Sequence, residues 1–398
     1  MASDDVTEFY DRHPYPPPVD DLDRYASAWN DGSRRRVNHH LMWPSMPLRE
    51  DHRILVAGCG TSQAARYALR YPQAQVVGID VSSTSIEHTR LLIERHQLTN
   101  LEVRLLPIEE IDALGGAFDH IVCTGVLHHL ADPDAALRAL RQVLAPDGAL
   151  SAMVYAPYGR TGVYMIQEYC RRLGIGTSPE DIDDLEASLR EIPLGHPLGH
   201  LLRNTPDFRD PDALADALLH PRDQAYSVPE VFDFLEQAGL EFGRWTRQAP
   251  YLPTCGSISV VPHGSTIASL PRREQFAALE LYRGTMTRHS FIAHHPSRGA
   301  HDPTAGFGDD RWREYVPVKP HTVISVEERL PPDAAAALLN RAHVFADLVM
   351  FVDDEDKTAF DAIDGERTVA DISAAPDFFR RLYEHDLIVI DASGARPV

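Results

Sequence analysis

Cysteine is scarce. The chain of 398 residues has four, Cys59, Cys123, Cys170 and Cys255. They stand far apart and form no CxxC pair, which excludes the spacing of a zinc ribbon and the density of a disulfide scaffold. A reducing, cytoplasmic setting fits that usage. Positive charge is short as well: 38 Lys and Arg face 59 Asp and Glu, a formal net charge of −21. Such a chain repels phosphate backbones and anionic membrane surfaces, so neither a nucleic acid nor a membrane is expected as partner. Apolar runs stay well below the roughly 18 residues a spanning helix needs. The opening MASDDVTEFYDRHPYPPP lacks the basic start and apolar stretch of a signal peptide. No internal repeat is present. The 20 histidines include the pairs His39-His40, His128-His129 and His294-His295. Adjacent side chains do not share one face of a strand or helix, and no HxxxH or His-carboxylate spacing supports these pairs, so no metal is expected.

What is present is a rhythm. Hydrophobic residues make up 43% of the chain, enough for a substantial core. Strand signals at Arg53–Ala57, Gln75–Asp80, Leu101–Leu106, Asp119–Thr124 and Leu150–Tyr155 alternate with helical stretches at about 63–70, 82–97 and 133–144. Pro133 sits where a missing N–H costs nothing. Such alternation predicts an α/β fold with a mostly parallel, doubly wound sheet covered on both faces. The rhythm stops between about 161 and 225, which predicts a helical cap insertion. It resumes at Ser227 with Glu230 three residues on, a capping-box pattern. Leu240–Trp245 and Gly256–Val261 read as the last two strands. The expected layout is an N-terminal arm or lid over 1–50, a core over 51–160, the cap over 161–225, the end of the core sheet over 226–265, and a small α+β C-terminal domain over 266–398. Within that last domain, Ala334–Ala346 reads as helical and His289–Pro303 as loop.

The first strand runs into Gly58-Cys59-Gly60-Thr61. Glycines there allow a tight turn and close backbone approach by a ligand. Asp80 ends the second strand, where a carboxylate can take both hydroxyls of a ribose. On consecutive strands of a parallel sheet the two features predict a nucleoside-binding edge. The third glycine of a dinucleotide fingerprint is replaced by Gln63, which speaks against NAD.

These residues resemble the ordered motifs of class I S-adenosylmethionine-dependent methyltransferases: Ile54–Thr61, Val77–Ser82, Phe118–Leu130, Ala131-Asp132-Pro133 and the Val143–Gly148 turn. The resemblance implies a seven-stranded sheet and S-adenosylmethionine at the C-terminal ends of the first four strands. It implies that Ala57, Gly58, Cys59, Gly60 and Thr61 lie against the methionine part. Asp80 would bind the ribose, Val81 would lie beside the adenine, Pro107, Ile108 and Glu109 would form the adenine edge, and Thr124 and Gly125 would flank the sulfonium. Three positions depart from the family pattern: Val56 replaces an acid, Ser62 a glycine, and Pro107 the acid that commonly meets adenine. The outer segments, among them Tyr10–Pro18, Ala225–Phe232 and His289–Phe291, resemble bacterial members with extra C-terminal sequence, and the tail is similar to small winged-helix modules that hold peptides.

Methyl transfer is an in-line displacement that needs the acceptor held near the methyl, and a general base only when the acceptor arrives protonated. His128, His129 and Tyr155, with Tyr158, are the bases or positioners expected at the ends of the fourth and fifth strands. His13 and Tyr15 are expected to cover the pocket. Thr124-Gly125-Val126-Leu127 lacks the [DN]-P-P-[YF] loop that grips a planar amino group. The expected acceptor is a protein side chain of lysine type or a peptide, with a small molecule as the alternative. A cofactor-binding protein without catalysis is the second class, and a homodimer formed through the cap or the tail is expected.

Overall fold

A computed structural model of the chain describes residues 4–204, 208, 210–298, 303–373 and 375–394. The run Arg53–Ala57 forms β1 because four of its five residues are buried between two layers of helices. Six further runs join it: β2 (Gln75–Asp80), β3 (Leu101–Leu105), β4 (Phe118–Thr124), β5 (Leu144–Tyr155), β6 (Glu241–Trp245) and β7 (Arg288–His294). Their order across the sheet is β3-β2-β1-β4-β5-β7-β6. The first five are parallel neighbours, and β7 runs antiparallel to both β5 and β6. This is the expected seven-stranded, mostly parallel sheet. Its order reverses between β1 and β4, and a ligand crevice opens at the carboxyl ends of strands at such a point.

Helices cover both faces. Gln63–Arg70 and Ser83–His96 bury Ala64, Ala65, Ala68, Ile86 and Leu92 against one side of the sheet. Pro133–Val143 and Val228–Ala238 bury Ala136, Leu137, Leu140, Phe234 and Leu235 against the other. The local signals act as expected: the Asp132 carboxylate accepts the Ala135 N–H at 2.8 Å, and the Ser227 N–H donates to Glu230 at 2.7 Å.

The seventh strand is not where the sequence placed it. Gly256–Val261 forms a 3₁₀ turn over Ser257–Val260, because Gly256 takes φ +76° and the Ser257 N–H and hydroxyl both bind the Asp347 carboxylate. The strand is Arg288–His294, expected as loop. Its polar histidine hid it: His289 is fully buried between the Glu280 carboxylate at 2.9 Å and the Tyr251 hydroxyl at 2.7 Å, so its two ring nitrogens are satisfied inside the core. The core sheet therefore continues past residue 265.

Beyond it, β8 (Val316–Val318), β9 (Val323–Val326), β10 (Ala336–Asn340), β11 (Val349–Val352) and β12 (Val389–Asp391) form two small antiparallel sheets, β11-β10-β9 and β12-β8. With three helices they enclose a separate core around Trp312, Leu338, Phe360, Phe379 and Leu382. The predicted helix over Ala334–Ala346 is β10 instead, since its buried Ala337 and Leu338 pair with strands on both sides. The N-terminal region holds three helices, Asp4–Arg12, Asp23–Trp29 and Gly32–Met42. The third meets β12: Arg36 donates to Asp391 at 2.9 Å, His40 Nε2 lies 3.1 Å from the same carboxylate, and the Ala392 N–H donates to the Pro44 carbonyl at 2.7 Å. Among the described residues no helix is long and apolar enough to cross a membrane.

Candidate active site

The turn after β1 bends at two glycines, Gly58 at φ +68° and Gly60 at φ +52°. A Cβ on Gly58 would stand 2.3 Å from the Val126 side chain, and one on Gly60 would stand 2.8 Å from the Tyr15 carbonyl. Only glycine fits either place. The Cys59 N–H donates to Ile79, which ties the turn to β2. Asp80 then reaches back: one carboxylate oxygen accepts the Gly60 N–H at 2.8 Å, the other the Ser82 N–H at 2.9 Å. Burial pushes the Asp80 carboxyl up, against the pull of those N–H groups. Each oxygen keeps a lone pair for a ribose hydroxyl. The Leu106 N–H donates to the Asp80 carbonyl at 2.9 Å, which brings Pro107 and the buried Ile108 beside Val81, while Glu109 faces solvent. At the end of β4, Gln63 donates to the Thr124 hydroxyl at 2.6 Å, next to Gly125. Its buried Oε1 has no hydrogen-bond partner.

That orphaned acceptor and Asp80 fit the two polar ends of S-adenosylmethionine. Gln63 Oε1 would take the α-amino group, and Asp80 the ribose hydroxyls. The departures from the family pattern are accommodated locally. Val56 is fully buried in the apolar layer behind the turn, and the Ser62 hydroxyl accepts from Arg66 at 3.3 Å.

The N-terminal arm lies over this crevice. Asp11 accepts from the Ser82 hydroxyl at 2.8 Å and the Thr84 N–H at 3.2 Å. Burial opposes ionisation of Asp11, yet these donors outweigh it and hold the carboxyl below its usual range. Thr61 donates to the Pro16 carbonyl at 2.8 Å. On the cap side, His13 meets Asp212 at 2.9 Å and the Tyr10 hydroxyl donates to Asp216 at 3.0 Å. The arm thus bridges the glycine turn and the cap.

Beyond Gly125 the chain makes a short 3₁₀ turn, Leu127–His129, that buries both histidines. The His128 ring packs at a tilt 3.9 Å from Tyr155, and the His129 ring likewise 3.9 Å from His220. Arg160 lies 3.5 Å over the Tyr155 ring and pairs with the buried Asp223 at 2.9 Å. Tyr158, by contrast, is exposed. Burial drives His128 well below the ordinary imidazole range, with His129 and Arg160 adding to it. Burial likewise lowers His129 to about 4, against the pull of the Arg222 carbonyl, and His220 to about 3. All three are neutral at pH 7.

His129, Asp216 and His220 each place one donor atom within 4.8 Å of the others, a grouping that metal sites share. Reading along the chain missed it because His129 sits on the Leu127–His129 turn, far in sequence from the other two. Only Asp216 and His220, four apart at the end of the Pro211–Leu219 helix, left a signal. Tyr10 and Arg160 left none. The backbone of Arg222 sets both rings. Its carbonyl lies 2.7 Å from His129 Nδ1, and its N–H lies 3.0 Å from His220 Nδ1. A carbonyl only accepts and an N–H only donates, so neutral His129 carries its proton on Nδ1 and neutral His220 carries it on Nε2. A metal needs lone pairs at both rings, and His220 offers its second nitrogen as N–H.

Residues 55–150 match the model of a methyltransferase domain. The chain is 29% identical over 303 residues to an uncharacterised protein of Synechococcus sp., covering 72% of this chain and 70% of that one. It is 28% identical over 131 residues to the ubiquinone biosynthesis O-methyltransferase of Acinetobacter baylyi, covering 31% of this chain and 55% of that enzyme. The chain thus spans about half the length of the named enzyme it matches. Among solved structures, PKMT2 from Rickettsia typhi superposes with a TM-score of 0.63 at 17% identity, covering 94% of this chain and 76% of that one. Its complex with AdoHcy gives 0.61 at 19%. At such identity the likeness is one of fold. Fold, ordered motifs and matched model together define a class I methyltransferase domain. Residues 55–150 are thus a methyltransferase domain of the S-adenosylmethionine-dependent kind.

Proposed function

We propose that this chain transfers the methyl group of S-adenosylmethionine to an acceptor held by His128, His129 and Tyr155 under the N-terminal arm. One observation carries the reading: the Val126 side chain packs on Gly58 of the turn that Asp80 braces, and the next three residues, Leu127–His129, carry the buried His128 and His129. When bound, the cofactor supplies a methyl group on a cationic sulfur. Thr124 and Gly125 would flank that sulfur. The arm and cap exclude water and fix the acceptor, which is where most of the rate gain in such a displacement arises.

The acceptor expected from sequence was a protein side chain of lysine type or a peptide; the strongly acidic chain and the separate C-terminal module support a basic protein partner. The O-methyltransferase relatives support the small-molecule alternative. A homodimer is supported by an exposed apolar stripe on the Thr161–Leu173 helix, Met165, Tyr169 and Leu173, spaced by four. Four free, buried cysteines are in keeping with a reducing cytoplasm. The test is release of S-adenosylhomocysteine in an extract supplied with S-adenosylmethionine, beside calorimetry of cofactor binding. Binding without release would establish the non-catalytic class instead. Absence of binding would sink both.

A further inference from the structure

The acceptor end of the site has a hydrogen-bonding polarity that selects among acceptor atoms. The Arg222 backbone holds His129 with its proton on Nδ1, so Nε2 keeps a lone pair. The same residue holds His220 with Nδ1 as acceptor, so Nε2 is an N–H, and it is buried without a partner. The two rings are tilted by 38° with their centres 3.9 Å apart and share that anchor at one edge, which leaves one lone pair and one N–H at their other edges. His129 is also placed for chemistry: its backbone N–H donates at 2.9 Å to the Val126 carbonyl, and the Val126 side chain packs against Gly58 of the turn after β1.

We propose that the methyl acceptor is a hydroxyl group, held between the lone pair of His129 and the N–H of His220; this rests on the methyl-transfer reading above. A hydroxyl oxygen has one hydrogen and two lone pairs. Its hydrogen goes to His129 Nε2, one lone pair accepts from His220 Nε2, and the other attacks the methyl carbon. The new O–C bond forms as the S–C bond breaks with its electron pair left on sulfur, and the proton ends on His129. The Asp216 carboxylate, within 4.8 Å of both rings, offsets the imidazolium charge that results. A lysine amine does not match. As an ammonium it has only donors, and as a free amine its single lone pair is spent on the methyl carbon. In either form the His220 N–H stays buried and unpaired, which disfavours such an acceptor.

Measurements on the full chain test this. Nitrogen-15 NMR of histidine-labelled protein is expected to show protonated Nδ1 at His129 and protonated Nε2 at His220; the reverse at either ring overturns the proposal. Incubation with S-adenosylmethionine carrying a carbon-13 methyl, in a bacterial extract, is expected to give O–CH3 signals. His129→Gln should cut their rate roughly 10²–10⁴-fold with cofactor affinity, by calorimetry, unchanged. His220→Gln, which keeps a donor, should retain far more activity than His220→Leu. N–CH3 signals would overturn the hydroxyl assignment while leaving methyl transfer standing. Label in no product, with the cofactor bound, would overturn methyl transfer itself. Binding of zinc alone that disappears in His220→Gln would also overturn the assignment.

Discussion

Tyr10 and Asp216 lie 206 positions apart in sequence, yet the hydroxyl of one donates to the carboxylate of the other at 3.0 Å. This bond and the His13–Asp212 pair fasten the arm to the cap. Removing one such bond costs about 1 kcal/mol. Tyr10→Phe combined with Asp11→Ala should therefore loosen the arm and raise the cofactor dissociation rate roughly tenfold, read by stopped-flow fluorescence. An unchanged rate would show that the cofactor leaves by another path.

Asp80, whose carboxylate accepts the Gly60 and Ser82 N–H groups, is the residue proposed above to hold the ribose. Asp80→Ala should weaken S-adenosylmethionine roughly 10–100-fold in calorimetry, the worth of one hydrogen-bonded charge. Equal binding by the variant would mean that the ribose sits elsewhere.

Arg160 and Asp223 form an ion pair with both side chains almost wholly buried. Removing one partner of such a pair leaves the other charge uncompensated and costs about 3–5 kcal/mol. Arg160→Ala should lower the urea midpoint accordingly, and Arg160→Met with Asp223→Asn should recover much of the loss. If the double variant is no better than the single one, the packing over Tyr155, not the charge, is what matters.

Several histidines are buried neutral, among them His120, lowered to about 3 first by burial and then by His52 and Arg70, and bonded to the Ser151 hydroxyl at 2.9 Å. Their folded values lie below the unfolded value of about 6.5, so the unfolded chain binds more protons between the two. Stability is then full above about pH 6.5 and falls as pH drops toward 3. Chemical denaturation at pH 5 and 7.5 should show this slope, reduced in His120→Asn. A flat profile would contradict it.

The stripe of Met165, Tyr169 and Leu173 is 48%, 44% and 61% exposed, unusual for three large apolar side chains on one helix face. Light scattering should give a dimer for the chain and a monomer for Met165→Glu with Tyr169→Glu. A monomeric wild type would remove the idea.

Much of the core was legible because its signals are local. Gly58, Gly60 and Asp80 announce a turn and a strand end within 23 residues, and Asp132 and Ser227 announce helix starts. The strand at Arg288–His294 was hidden because His289 counts as polar until Glu280 and Tyr251, distant in sequence or on another element, neutralise its cost. The acceptor end was half legible. His128, His129 and Tyr155 stand at or just after strand ends that periodicity predicts, but Tyr10 joins Asp216 and His220 only through the packing of arm on cap. The polarity of the two rings depends on the backbone of Arg222, which no side-chain pattern encodes.

Arg36, His40 and the Pro44 carbonyl all find partners at Asp391 and Ala392. During synthesis this has an ordering effect. The Gly32–Met42 helix cannot pair its Arg36 and His40 until Asp391 has left the ribosome. Domains usually complete from the N-terminal side as they emerge. Here the early segment must wait, with the arm beside it, so a methyltransferase core that has already closed around its sheet would still lack its settled cover until residue 391 arrives.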